Sequence, residues 1–175
     1  MKRISTILLA AFAIAISSSQ AQISYSGGGA TYGPYSRVVL PAVPSSLDFA
    51  GETVPLQNQD TRESLQRELL VTLNMHSRTF ITLLNTKRYF AIIEPIMAKH
   101  GIPDDFKYLA MAESGLSPDV VSSAGAAGLW QIMSATGKSY GLSVGGGVDE
   151  RYDIEKSTEV ACKYLLASYR RFGSW

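Results

Sequence analysis

From Asp60 onward the apolar residues recur at steps of three and four. Leu65, Leu69, Leu73, His76, Phe80 and Leu83 fall on one side of a 3.6-residue repeat. That spacing predicts a long amphipathic helix from Asp60 to about Asn85, with Asp60 and Glu63 at capping-box separation. A second helix is expected from Ile92 to His100, with Pro95 in its first turn and Gly101 behind it. A third opens at Pro103, takes Asp104 and Asp105 in its first turn and stops at Gly115. Ser134 is placed to cap a short helix through Tyr140, and residues 142–152, with Gly145-Gly146-Gly147, suggest a loop. Asp153 then caps a last helix from Ile154 to about Arg171, with Gly173 beyond it. Ile154, Ala161, Leu165 and Tyr169 share its inner side, so Tyr169 is expected in the core. The fold class expected is mainly α, arranged as a helical bundle.

The chain before Asp60 has no such period. Lys2 and Arg3 precede ten apolar residues, Ile7 to Ile16, and then Ser17-Ser18-Ser19-Gln20-Ala21. This is the charged, apolar and small-residue order of a secretory signal peptide over 1–21. The apolar run is short of the ~20 residues that span a bilayer, and an uncleaved anchor is the alternative. Residues 22–59 carry Gly27-Gly28-Gly29, several prolines and many serines, and are expected to be a flexible linker. Val38-Val39-Leu40 is its one strand-like piece. The folded domain is expected over 60–175, in an exported protein of the periplasm or cell envelope.

Charge and cysteine content narrow the classes. Taking Lys2 and Arg3 from the 16 basic residues leaves 14 against 15 acidic ones, so nothing in the charge favours nucleic acid as a partner. The single cysteine, Cys162, falls inside a predicted helix, where a buried, unreactive thiol is the default. His76 and His100 lie far apart without ligand spacing, so neither a zinc site nor another metal or cofactor is expected. Gly137-Lys138-Ser139 has the ending of a phosphate-binding loop, but Ile132 stands where its first glycine belongs.

What stands out is a carboxylic acid at the end of an apolar stripe. Phe106, Leu109, Ala110 and Glu113 share one side of the third helix. Desolvation and the negative end of the helix dipole both oppose ionisation of Glu113, which suits a general acid. A solvated glutamate at a frayed helix end is the plainer alternative. The small residues Ser122 to Gly128 follow, permitting close backbone approach, and lead into Leu129-Trp130-Gln131-Ile132-Met133. A glutamine both donates to and accepts from sugar hydroxyls, and a thioether packs on a sugar ring.

Three stretches together resemble the catalytic domain of lytic murein transglycosylases, the soluble lytic transglycosylase-like type, most closely the membrane-bound type D group. They are Glu113-Ser114-Gly115, the run from Ser122 to Gln131, and Val148-Asp149-Glu150-Arg151-Tyr152-Asp153. The resemblance covers roughly Val54 to Trp175 and implies a lysozyme-like helical fold whose cleft binds peptidoglycan glycan strands. It implies that Glu113 is the catalytic acid/base and that Ser122, Gln131 and Met133 line the sugar site, Ser122 orienting the carboxyl group. Trp130 is expected to pack in the wall, and Asp149, Glu150 and Arg151 to form a structural loop network.

The implied chemistry needs one carboxyl group. Glu113 would protonate the bond between N-acetylmuramic acid and N-acetylglucosamine, then take the proton of the muramic acid 6-hydroxyl as a 1,6-anhydro ring closes. Ordinary glycosidases use two carboxyls, and Asp104, Asp105 and Asp119 offer no clear second partner. Relatives continue with a helix bearing an Ala-Tyr-Asn-type motif, so the C-terminal helices are expected to be missing and the domain incomplete. Membrane or wall association fits this picture. A lysozyme-type hydrolase, a non-catalytic wall-binding module and a purely structural exported protein are the competing expectations.

Overall fold

The computed structural model describes residues 42–175. Its first helix, α1 (Gln59–Asn74), is capped by Asn58, whose side chain accepts from the N–H groups of Asp60 and Thr61 at 2.9 and 3.3 Å. The cap is thus Asn58 and not Asp60. At Met75 the backbone leaves the helical region (φ −88°, ψ 47°), and the chain resumes as α2 (His76–Lys99). The Thr79 hydroxyl closes the elbow by donating to the Thr72 carbonyl at 3.0 Å.

The expected helix ending near Asn85 and the separate one from Ile92 are therefore divided elsewhere. The apolar stripe is not one buried face: Leu65 and Leu69 are buried, whereas Leu73, Phe80 and Leu83 are exposed. Tyr89, Ile93 and Met97, four apart, carry the buried face of α2 through the region expected to break. Pro95 lies inside that helix. Its missing N–H frees the carbonyl of Ala91, and both residues are exposed, so water can take the place of the lost partner.

The expected linker 22–59 overlaps the described residues from 42 onward, and there the chain is folded. The strands β1 (Asp48–Phe49) and β2 (Glu52–Thr53) pair antiparallel through the left-handed residues Ala50 and Gly51. Phe49 is buried and meets Phe106 edge-on at 5.3 Å, while the Ala50 N–H donates to Asp105 Oδ2 at 2.8 Å. Leu56 is buried with Leu65 and Leu69, and Val43, Leu47 and Val54 pack against them, so the segment is anchored by scattered apolar residues that follow no period. The expected signal peptide and Val38-Val39-Leu40 lie outside the described residues.

After a 3₁₀ turn at Asp104–Phe106 comes α3 (Lys107–Ser114), then α4 (Ser134–Ser139). Ser134 begins α4 without a side-chain capping bond, so its expected role as cap is not realised. Residues 142–152 hold a second hairpin, β3 (Val144–Gly145) with β4 (Val148–Asp149), and a 3₁₀ turn at Glu150–Tyr152. The last helix, α5 (Ile154–Phe172), is capped by Asp153, which accepts from the Lys156 N–H at 2.9 Å, and ends at Gly173 with φ 72°.

The first half of α5 buries Ser157, Thr158, Val160, Ala161 and Cys162 against α2. Its second half runs outward, so Tyr169 is 38% exposed instead of in the core. That ring stacks on Trp175 at 4.3 Å, and Trp175 in turn packs on Phe106 at 5.0 Å. The Trp175 N–H donates to Glu52 Oε1 at 2.6 Å, fastening the last residue to the first hairpin. Among the described residues, no helix is long and apolar enough to cross a membrane.

Candidate active site

The site begins with the way α3 ends. Phe106, Ala110, Met111 and Ser114 are buried, which fixes the helix on the core. Gly115 adopts φ 64° and donates to the Met111 carbonyl at 2.8 Å, stopping the helix. Leu116 follows, also left-handed at φ 58°, a conformation costing a non-glycine residue about 1–2 kcal/mol. Its side chain is fully buried, and its carbonyl accepts from Asn85 Nδ2 at 3.3 Å. Two left-handed residues in a row turn the chain sharply away just after Glu113.

Glu113 itself does not continue the buried stripe. Ser114 takes the interior place, its hydroxyl donating to the Ala110 carbonyl at 2.9 Å, and Glu113 stands at the rim. Its residue surface is largely open, yet desolvation by its surroundings raises the carboxyl pKa above the ordinary 4.5. The two observations agree if one side of the side chain is shielded and the other faces solvent. A cavity of about 210 Å³ between α1, α2 and α3 is walled by Val71, Met75, Met111 and Ala112. Glu113 is not among its walls, although Ala112 beside it is.

The second part is a loop folded by its own backbone. The N–H of Ser122 donates to the Ala126 carbonyl at 2.9 Å, and Ala127 and Ile132 exchange bonds at 3.1 and 3.0 Å. Gly128 has φ 79°, and a Cβ there would lie 2.0 Å from the Arg151 carbonyl oxygen. The close approach foreseen for the small-residue run is therefore made at Gly128, to another part of the chain. The indole of buried Trp130 donates to Thr158 Oγ1 at 2.8 Å, tying the loop to α5.

The residues expected at the site divide as follows. Ser122, Gln131 and Met133 sit on this one loop. Ser122 Oγ accepts from the Ala126 N–H at 3.1 Å and, among the described residues, makes no hydrogen bond to Glu113. Gln131, held at φ 48°, spends its side-chain N–H groups on the carbonyls of Val120 and Gly128 at 3.1 and 2.9 Å. Its carbonyl oxygen is the part left for a ligand. Met133 is 45% exposed while its neighbour Ile132 is buried. No hydrogen bond joins Glu113 to Gln131 among the described residues.

Beneath the loop is a charged cluster. Arg151 is buried; its Nε and Nη2 donate to Asp149 at 2.9 and 2.6 Å, and the Arg151 hydrogen bonds hold Asp149 below the usual carboxylate range. Lys156 pairs with Glu150 and depresses that carboxyl likewise. These contacts agree with the expected network. Thr158, the partner of Trp130, was not foreseen, since 28 residues separate the two and neither position announces the other.

Comparison with known proteins adds the following. Residues 90–175 match the family described as the transglycosylase SLT domain. Two curated relatives are each 32% identical over 131 residues, which is 73% of this chain and 28% of theirs. Both are named membrane-bound lytic murein transglycosylase D, one from Escherichia coli strain K12 and one from Escherichia coli O6:H1 strain CFT073. The chain thus spans little more than a quarter of the length of these relatives. No solved structure matches.

Proposed function

Since residues 90–175 belong to the transglycosylase SLT family, with its lysozyme-like helical fold, we propose that the chain cleaves peptidoglycan. The bond is the β-1,4 link between N-acetylmuramic acid and N-acetylglucosamine, and the product carries 1,6-anhydromuramic acid. Glu113 is the single acid/base: it gives its proton to the glycosidic oxygen, and the resulting carboxylate takes the proton from the 6-hydroxyl as that oxygen attacks the anomeric carbon. One proton goes out and one returns, with no water consumed.

The observation that carries this reading is the place of Glu113, a carboxyl at the sharply terminated end of α3 whose pKa desolvation raises although the residue keeps an exposed side. A group so placed holds a transferable proton at higher pH than a solvated glutamate does. Met133 supplies an exposed thioether for a sugar face and Gln131 a carbonyl acceptor for a sugar hydroxyl; Ser122 shapes the loop that presents them. Export to the periplasm or envelope through residues 1–21, with association at a membrane or the wall, accords with a murein substrate.

A second reading draws on the open side of Glu113, which among the described residues has no hydrogen-bond partner: a wall-binding module that holds glycan without turning it over. Digestion of purified glycan strands, followed by mass spectrometry, separates these. Anhydro ends support the lytic reaction, reducing ends alone make it a hydrolase, and binding without released fragments makes it a binding module.

A further inference from the structure

From the 3₁₀ turn Glu150–Tyr152, Arg151 reaches the glycine-rich loop. Its side chain is 9% exposed. Asp149 receives Nε and Nη2, which leaves Nη1 aimed at the loop, where it donates to the carbonyls of Gly125 at 2.8 Å and Ile132 at 3.0 Å. These carbonyls lie near the two ends of the segment that carries Gln131. On the same residue, the backbone carbonyl presses on Gly128, at the middle of that segment. Three points of the loop are thus fixed by one residue.

From this we propose that Arg151 is the positioning residue of the saccharide-binding loop, with Asp149 setting the direction of its fork. The inference rests on the function proposed above. Ile132 lies between Gln131 and Met133, so a shift of its carbonyl carries both of them. The left-handed Gln131 is tied to Gly128, the residue that lies against the Arg151 carbonyl, since its own N–H and side-chain amide donate to the Gly128 carbonyl at 3.2 and 2.9 Å. Glu113 is on a different element and, among the described residues, makes no hydrogen bond or ion pair with this cluster. Loosening the fork therefore weakens the hold on sugar and leaves the proton-transfer group in place.

Arg151→Lys keeps the charge but has no planar fork to serve Asp149 and two carbonyls together. The full chain and this variant are compared by steady-state cleavage of glycan strands and by amide hydrogen exchange. The expected result is a KM raised about tenfold, equal to ~1.4 kcal/mol of binding, with kcat nearly unchanged. Amides of residues 122–133 would exchange faster while those of α2 and α3 keep the parental rate. An unaltered KM, or exchange that rises equally throughout the chain, overturns the inference. Failure of the parental chain to cleave or bind glycan would instead overturn the proposed function, and the loop exchange would still decide the role of Arg151. Should Arg151→Lys not fold, Asp149→Asn, which keeps the arginine but releases its fork, is expected to show the same split in milder form; a parental KM and loop exchange in that variant overturn it equally.

Discussion

The indole N–H of Trp130 ends on the hydroxyl of Thr158, 2.8 Å away, with both side chains buried between the loop and α5. The same hydroxyl donates to the Ile154 carbonyl at 2.6 Å, so it acts as acceptor and donor at once. Thr158→Val keeps the shape and removes the acceptor, leaving a buried indole donor without a partner. A loss of about 1–3 kcal/mol in unfolding free energy is expected. Thr158→Ser, which retains the oxygen, should lose clearly less in urea denaturation; equal losses would show that the bond is immaterial.

Gly128 and Gly125 share a left-handed backbone but differ in their surroundings. An alanine Cβ at Gly128 would be 2.0 Å from the Arg151 carbonyl oxygen, whereas at Gly125 it would meet nothing within 4 Å. Gly125→Ala is therefore expected to show backbone strain only, about 1–2 kcal/mol. Gly128→Ala adds a clash between backbones and should lose roughly 2–5 kcal/mol. Thermal melts of the two variants test the ordering, and a Gly128→Ala protein as stable as Gly125→Ala would contradict it.

How far the sequence disclosed this arrangement depended on range. Local signals read well: Asp153 and Gly173 bound α5, and Gly115 stops α3, because a cap or a left-handed turn is decided by neighbours. Pairings across the chain did not. Phe49 on Phe106, Trp130 on Thr158 and Trp175 on Tyr169 each join residues whose individual identity fits many environments. The stripe through Leu73 and Phe80 misled for the opposite reason, since periodicity marks an apolar face without showing whether anything covers it. At the candidate site, type and spacing singled out Glu113 and the small-residue loop, while their roles came only from the family resemblance. Neither showed that Ser114 would take the interior position or that Gln131 would bind its own backbone.

Where α2 ends, His100 Nε2 lies 2.5 Å from Glu159 on α5, with Lys99 at 3.4 Å. The hydrogen bond from His100 is the main cause of a lowered Glu159 pKa. A depressed carboxyl pKa contributes stability above its unfolded value, near 4.5, and loses it as pH falls through the lower folded value. Glu159→Gln should accordingly be less stable than the parent at pH 7, by ~1 kcal/mol or less for so solvated a pair. The gap should close as the solution is acidified below about pH 4. A gap of constant size in acid would assign it to packing.

Glu113 has the opposite sign. Its folded pKa is raised, so ionisation opposes the folded form, and the stabilising contribution present at low pH is lost as pH rises through the folded value. Glu113→Gln abolishes that dependence while preserving shape, so the variant should be no less stable than the parent at neutral pH. Its cleavage of glycan, however, should fall by about 10²–10⁴-fold, the contribution of a positioned acid/base. Binding to sedimented peptidoglycan should persist, because the amide keeps the outline of the side chain and lacks only the proton to give. In the parent, kcat should be high while the carboxyl is protonated and decline as pH rises past a midpoint above 4.5. A variant that releases anhydro fragments at the parental rate would remove Glu113 from the chemistry and leave the raised pKa as a property of the helix end alone.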